Sequence, residues 1–118
     1  MHVYTATIGR NISTNHPDAT RAGKPLTLTE WGQFVEDVTA DMGSLARRWD
    51  YAGDDTLEVH YGKGEWDGVE EESAKITLLT DMPLGECAVD DLRRLLTENA
   101  RHYGQDAIAL TIGTSELC

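Results

Sequence analysis

The chain has 118 residues, of which 40% are hydrophobic and 26% charged, as is usual for one globular domain. Its 21 acidic residues outnumber the 10 Lys and Arg residues, giving a formal net charge of −11. Because a surface of that sign repels phosphate backbones and anionic lipids, we expect a single domain over residues 1–118 that binds neither nucleic acid nor membranes.

Cysteine and histidine usage argues against disulfide and metal chemistry. Cys87 and Cys118 are too few for a disulfide framework or a metal site, and the four histidines lie on four different predicted elements without ligand spacing. No apolar run approaches the roughly 18 residues of a membrane span, and the N-terminus lacks a secretion signal. We therefore expect a cytoplasmic protein without a cofactor or metal.

The first half of the chain predicts a strand, a loop and a helix. Alternating residues from Val3 to Ile8 predict strand one, and residues 9–25, rich in Asn, Ser, Thr, Gly and Pro, predict a surface loop. Thr27 and Glu30 then have the spacing of a capping box.

Apolar residues follow that box at three- and four-residue intervals, which predicts an amphipathic helix one. Its stripe begins at Leu28 and ends at Trp49. Trp31 and Trp49 lie on this stripe, so we expect both indoles to belong to the core rather than to a binding site.

A β-hairpin is predicted after a break at residues 50–55. Alternation around Val59 predicts strand two, and alternation around Ile76 predicts strand three. Asp67-Gly68 between them is typical of a type I′ turn. This turn fixes the register, with Trp66 opposite Val69, Gly64 opposite Glu71, Gly62 opposite Ser73, His60 opposite Lys75 and Glu58 opposite Thr77.

The last third predicts a second helix and a fourth strand. Asp90 and Asp91 suit a helix start, and an apolar stripe then runs to Gly104. Alternation over residues 107–112 predicts strand four, with Ile108 and Ile112 facing the core.

The order β-α-β-β-α-β predicts an α+β, ferredoxin-like domain with a four-stranded antiparallel sheet and two helices on one face. Because crossovers are right-handed, we expect strands one and three to occupy the centre of the sheet and to run parallel to each other. The core face should include Tyr61 and Ile112. Strands one and two should then run antiparallel, so Arg10 leaves the sheet about 17–20 Å from the turn and pairs with an acid at that far end. The candidate acids are Asp54, Asp55, Asp81 and Asp106.

The predicted register places five candidate ligand-binding residues on the open face of the sheet, beside two strand glycines that leave a shallow gap. A flat indole can stack on a ring, an ammonium can meet an anion, and an imidazole can transfer a proton. The candidates are His60, Trp66, Glu71, Ser73 and Lys75. The alternative is a plain surface or a dimer interface, with His60 and Lys75 as an exposed cross-strand pair.

Five short segments together resemble an uncharacterised family of short bacterial and bacteriophage domains of unknown function. They are Gly9-Arg10, Glu30-Trp31, Gly64-Glu65-Trp66, the cluster of Glu72, Ser73 and Lys75, and the closing Tyr103-Gly104-Gln105-Asp106. The chain departs from that pattern in its longer first loop and in Ala74 within the cluster. The resemblance implies the fold and a bacteriophage origin rather than an activity.

These observations lead to three functional hypotheses. The first is a non-enzymatic homodimeric module that holds a small ring-bearing or anionic ligand on the open face, and the resemblance suggests that it sequesters a host signal molecule. The second is an acidic protein that occupies a basic protein partner, as a nucleic-acid mimic does. The third is a small dimeric enzyme in which His60 is the general base.

Overall fold

The computed structural model describes residues 1–49, 56–66 and 68–114, without the side chains of residues 56 and 66. The strands are β1 (His2–Gly9), β2 (Thr56–Trp66), β3 (Val69–Thr80) and β4 (Ala109–Thr114), and the helices are α1 (Leu28–Arg48) and α2 (Glu86–His102). The predicted break at residues 50–55, the turn residue Asp67 and Cys118 lie outside the described residues.

The predicted α+β architecture is confirmed. The four strands form one sheet in the order β2-β3-β1-β4, and every neighbouring pair is antiparallel. The predicted hairpin register is also confirmed, from Trp66 opposite Val69 to Glu58 opposite Thr77. Gly68 has a φ of +77°, the left-handed conformation that the predicted turn requires.

One face of the sheet forms the core with both helices. Tyr4, Ala6 and Ile8 are buried on β1, and Ala74, Ile76 and Leu78 are buried on β3, as their alternation predicts. Phe34 of α1 and Leu92 of α2 are fully buried against them. The other face of the sheet, opposite these buried side chains, is the open face.

Helix α1 begins with the predicted capping box. The Thr27 hydroxyl accepts from the Glu30 N–H at 3.2 Å, and Glu30 Oε1 accepts from the Thr27 N–H at 3.1 Å. Helix α2 begins at Glu86, four residues before the predicted start, because the buried Ala88 extends its apolar face toward the N-terminus.

Four residues that the sequence placed on the core face of the sheet or on the apolar stripe of helix one are exposed. Tyr61 is 66% exposed and Ile112 is 48% exposed, since both lie on edge strands, which the helices cover less completely than the central strands. Leu28 and Trp49, at the two ends of α1, are also exposed, and the Trp49 indole N–H donates to Asp91 at 3.2 Å. Trp31, in contrast, is buried as predicted.

The segment from Arg10 to Leu26 is more ordered than the predicted surface loop. Asn11 forms an isolated β-bridge with Pro25, and the Ile12 N–H donates to the Lys24 carbonyl at 2.8 Å. Ile12 is 4% exposed, so it anchors the segment in the hydrophobic core. These contacts hold the segment against the end of the sheet where β1 finishes.

Candidate functional site

Strand directions bring the end of β1 close to the tip of the β2-β3 hairpin. Since β1 and β2 are both antiparallel to β3, they run in the same direction, and Gly9 at the end of β1 pairs with Ser73. The predictions of parallel β1 and β3 and of antiparallel β1 and β2 are therefore wrong. β3 lies between β1 and β2 and is antiparallel to both, so the chain direction reverses from β1 to β3 and again from β3 to β2.

Arg10 accordingly leaves the sheet at the hairpin end and not at the far end. Its Nη1 donates to Glu72 Oε2 at 2.9 Å, and its Nε donates to the Leu26 carbonyl at 2.7 Å. Among the described residues, the predicted pairing with Asp81 or Asp106 is replaced by this pairing with Glu72. Asp54 and Asp55 lie outside the described residues.

A cavity of about 330 Å³ opens at this end of the sheet, and it extends onto the open face. We call it the open-face cavity. Its walls come from the end of β1, the segment after β1, the hairpin and the residues between α2 and β4. The polar side chains among its lining residues are Thr7, Asn11, Ser13, Thr14, Lys63, Glu65, Glu71, Ser73, Lys75, Gln105 and Asp106.

Three of the five predicted ligand-binding residues line this cavity. Glu71, Ser73 and Lys75 follow one another at every second position of β3, which places them on the same face of the sheet. The described side chain of His60 stands outside the cavity lining, is 69% exposed and has its Nε2 3.4 Å from Glu58 Oε2. The side chain of Trp66 lies outside the described part of the chain.

Glu71 is held in the cavity by the backbone next to Gly9. Its Oε2 accepts from the Asn11 N–H at 2.8 Å. A Cβ at position 9 would lie only 2.3 Å from Glu71 Oε1, so a glycine is needed for this carboxylate to approach. The sequence places Glu71 on the open face, but its position over β1 depends on the register between β1 and β3.

Opposite charges meet in the cavity. Lys75 contributes an ammonium that makes no ion pair or hydrogen bond within the described part of the chain, whereas Glu71 and Asp106 contribute carboxylates. Asp106 accepts a short hydrogen bond from the Ser13 hydroxyl, and the Ser13 N–H donates to the Gly104 carbonyl at 2.8 Å. The cavity is therefore suited to a polar ligand that carries both signs of charge.

The cavity walls that come from outside the hairpin were not predicted from the sequence. Asn11 and Ser13 fall within the predicted loop, and Gln105 and Asp106 fall within the closing segment of the family resemblance. The length of the loop was the one signal for the first pair, because loops of that size are often functional. No periodic pattern identifies the second pair.

The described part of the chain offers neither a membrane-spanning helix nor a metal-binding cluster. None of its helices is long and apolar enough to span a membrane. It also has no cluster of three or more His, Cys, Asp or Glu side chains arranged to hold a metal ion. Cys87 is exposed and has a free thiol.

No protein-family model and no curated protein matches this chain. Among solved structures it is similar to a phage SAM lyase in complex with S-methyl-5′-thioadenosine, with a TM-score of 0.53 and 16% identity over 95% of this chain and 79% of that chain. A phage SAM lyase in the apo state has a TM-score of 0.49 and 16% identity, over 99% of this chain and 91% of that chain. The first of these similarities shows that the fold is shared.

Proposed function

We propose that this protein binds S-adenosylmethionine (SAM) in the open-face cavity. The observation that carries the proposal is that one cavity of about 330 Å³ holds the Lys75 ammonium, which has no partner among the described residues, and a fixed carboxylate, Glu71. That volume falls within the range of small-molecule sites, which is about 300–1,000 Å³. A site of this kind favours a ligand that is itself zwitterionic.

The chemistry of SAM matches these two charges. Its sulfonium and amino groups are cationic and attract Glu71, while its carboxylate is anionic and attracts Lys75. The shared fold with a phage SAM lyase supports this class of ligand. The ring-bearing or anionic ligand expected from the sequence thus becomes one zwitterionic molecule, SAM. We retain the hypothesis that the protein is encoded by a phage and withdraws this molecule from the host.

Cleavage of SAM is a second candidate function, favoured by the position of Glu71 inside the cavity. In a lyase reaction the bond between sulfur and the amino-acid carbon breaks, and its electron pair stays on sulfur, which releases S-methyl-5′-thioadenosine. In the same step the carboxylate of the amino-acid fragment attacks that carbon and closes a lactone, or a base removes a proton from the neighbouring carbon and an alkene forms. Glu71 is the cavity carboxylate placed to stabilise the sulfonium or to accept the proton. His60, outside the cavity lining, is a weaker candidate for the base.

Isothermal titration calorimetry with SAM tests binding directly. We expect Lys75→Met and Glu71→Gln each to weaken SAM binding by about tenfold, because each removes one charge complementary to the ligand. The matched controls are Lys24→Met and Glu98→Gln, which change exposed residues that do not line the cavity. Absence of SAM binding by the wild-type protein, or equal losses in the controls, contradicts the proposal.

Product analysis separates binding from cleavage. After incubation with SAM, chromatography should detect S-methyl-5′-thioadenosine if the second candidate is correct, and Glu71→Gln should reduce its rate of formation. Binding without product supports sequestration. If the protein instead captures basic proteins in a strongly salt-sensitive manner and does not bind SAM, the acidic-mimic hypothesis replaces both.

A further inference from the structure

Gln105 carries an unsatisfied polar atom. Its Nε2 is buried and has no hydrogen-bond partner within the described part of the chain. The backbone N–H of the same residue donates to the Ala100 carbonyl at 2.8 Å, which fixes the residue just after α2. Buried amide donors without a partner are rare because they lose their bonds to water, and they often mark a functional position.

Gln105 lines the open-face cavity together with Lys75, an exposed residue whose ammonium has no protein partner within the described part of the chain. Two of the cavity carboxylates already have a donor, since Glu71 accepts from the Asn11 N–H and Asp106 accepts from the Ser13 hydroxyl. Neither accepts from Gln105 or Lys75, so both of these donors are available to an acceptor supplied by a ligand. A ligand acceptor that also carries a negative charge satisfies the ammonium as well as the amide.

We infer that Gln105 and Lys75 bind the carboxylate of the ligand and make the protein selective for a carboxylate-bearing adenosyl compound. The inference rests on the proposed function, because it identifies the part of SAM that these two residues recognise. A neutral acceptor, such as a ring nitrogen of adenine, leaves the charge of Lys75 uncompensated.

Calorimetry with SAM and with decarboxylated SAM tests this selectivity, because the two compounds differ in the carboxylate alone. We expect the wild-type protein to bind SAM at least about tenfold more tightly. Gln105→Met and Lys75→Met should each reduce this preference by lowering affinity for SAM while leaving affinity for the decarboxylated compound unchanged. Gln105→Glu keeps the size of the side chain but places a second negative charge beside the carboxylate, so it should abolish the preference.

Two control variants locate the effect. Gln105 also lines a groove between α2 and β4, together with Arg101. If Arg101→Met reduces the preference as much as Lys75→Met does, the carboxylate binds in that groove and the inference is overturned. Lys24→Met, outside both sites, should leave the preference unchanged.

Thermal unfolding without ligand gives an independent readout. Since Gln105→Met removes an unsatisfied buried donor, it should raise the melting temperature while it weakens SAM binding, whereas loss of a purely structural residue lowers the melting temperature. A lower melting temperature with unchanged SAM affinity overturns the inference. Equal wild-type affinity for both compounds overturns the inference but leaves the proposed function standing, and binding of neither compound overturns both.

Discussion

The carboxylate of Glu71 occupies the space in which a side chain at Gly9 would begin. Its Oε1 is 2.3 Å from the position of a Cβ at residue 9, and its Oε2 accepts from the Asn11 N–H at 2.8 Å. The end of β1 and the hairpin are thus joined through a carboxylate that also lines the open-face cavity. The stability of this junction and the binding of ligand should respond together when position 9 changes.

Gly9→Ala should displace the Glu71 carboxylate from the Asn11 N–H. The side chain of Glu71 can rotate away, so the protein should still fold, but its free energy of unfolding should fall by about 1 kcal/mol through the lost hydrogen bond. Affinity for SAM should fall as well, because the carboxylate leaves its fixed position. Denaturant unfolding and calorimetry measure the two effects.

Gly62→Ala is the matched control for that variant. Gly62 also lies in a strand, but no heavy atom of the described residues lies within 4 Å of the position of its added Cβ. We expect little change in stability or affinity. Equal losses in the two alanine variants would show that the contact with Glu71 is not the reason for the glycine at position 9.

Arg10→Met should loosen the segment between β1 and α1. The Arg10 side chain is 17% exposed, and it donates to the carbonyl of Leu26 and to the Glu72 carboxylate. The half-exposed Glu72 partner contributes little because water screens it, so the bond to Leu26 should dominate. We expect the free energy of unfolding to fall by about 1–2 kcal/mol in denaturant unfolding experiments.

Arg93→Met provides the comparison for Arg10. Arg93 is 61% exposed and pairs with Asp90 at 3.4 Å within one turn of α2. Its removal should change stability by less than about 0.5 kcal/mol. Hydrogen exchange of the Ile12 amide should increase in Arg10→Met and stay unchanged in Arg93→Met. Any other pattern argues that Arg10 does not hold the segment between β1 and α1 in place.

Glu30 should make stability depend on pH at acidic values. Hydrogen bonds from Arg21, at 2.7 Å to each carboxylate oxygen, and from the Thr27 N–H lower the pKa of Glu30 below its ordinary value of 4.5. Because the folded pKa lies below the unfolded one, the contribution of Glu30 is complete above the unfolded pKa. It is lost as the pH falls through the folded pKa.

Denaturant unfolding of wild type and Glu30→Gln between about pH 6 and pH 3 tests this expectation. The wild-type protein should be more stable at the upper end of that range, and the difference should shrink as the pH falls. Arg21→Met should remove most of the same pH dependence, since Arg21 is the largest cause of the pKa shift. If the difference in free energy of unfolding between wild type and Glu30→Gln stays constant over this pH range, Glu30 is not the source of the pH dependence.

The hairpin and the capping box could be predicted because both depend on residues close together in the chain. Asp67-Gly68 determines which residues of β2 and β3 face each other, and that register places Glu71, Ser73 and Lys75 on one face. The same alternation identifies the buried residues of β1. It does not reveal where the helices end over the sheet, and Tyr61 and Ile112 are exposed for that reason.

Arg10 illustrates what local patterns leave undetermined. The alternation of a strand has the same form in either direction, so the pattern of β1 alone does not fix whether it finishes beside the hairpin tip or far from it; its antiparallel pairing with β3 does. The cavity depends on that choice, since its walls also include Ser13 and Gln105, which lie far apart in the chain and far from the hairpin.

By itself, the amino-acid sequence determined the order and type of the elements, the register of the hairpin and the polar character of the open face. Tertiary structure alone decided that the end of β1, the segment after it and the residues following α2 close around that face. The physical reason is that periodicity and turn chemistry act over a few residues, whereas the packing of Ile12 and the hydrogen bond from Ser13 to Gly104 form only when distant segments meet in the folded chain.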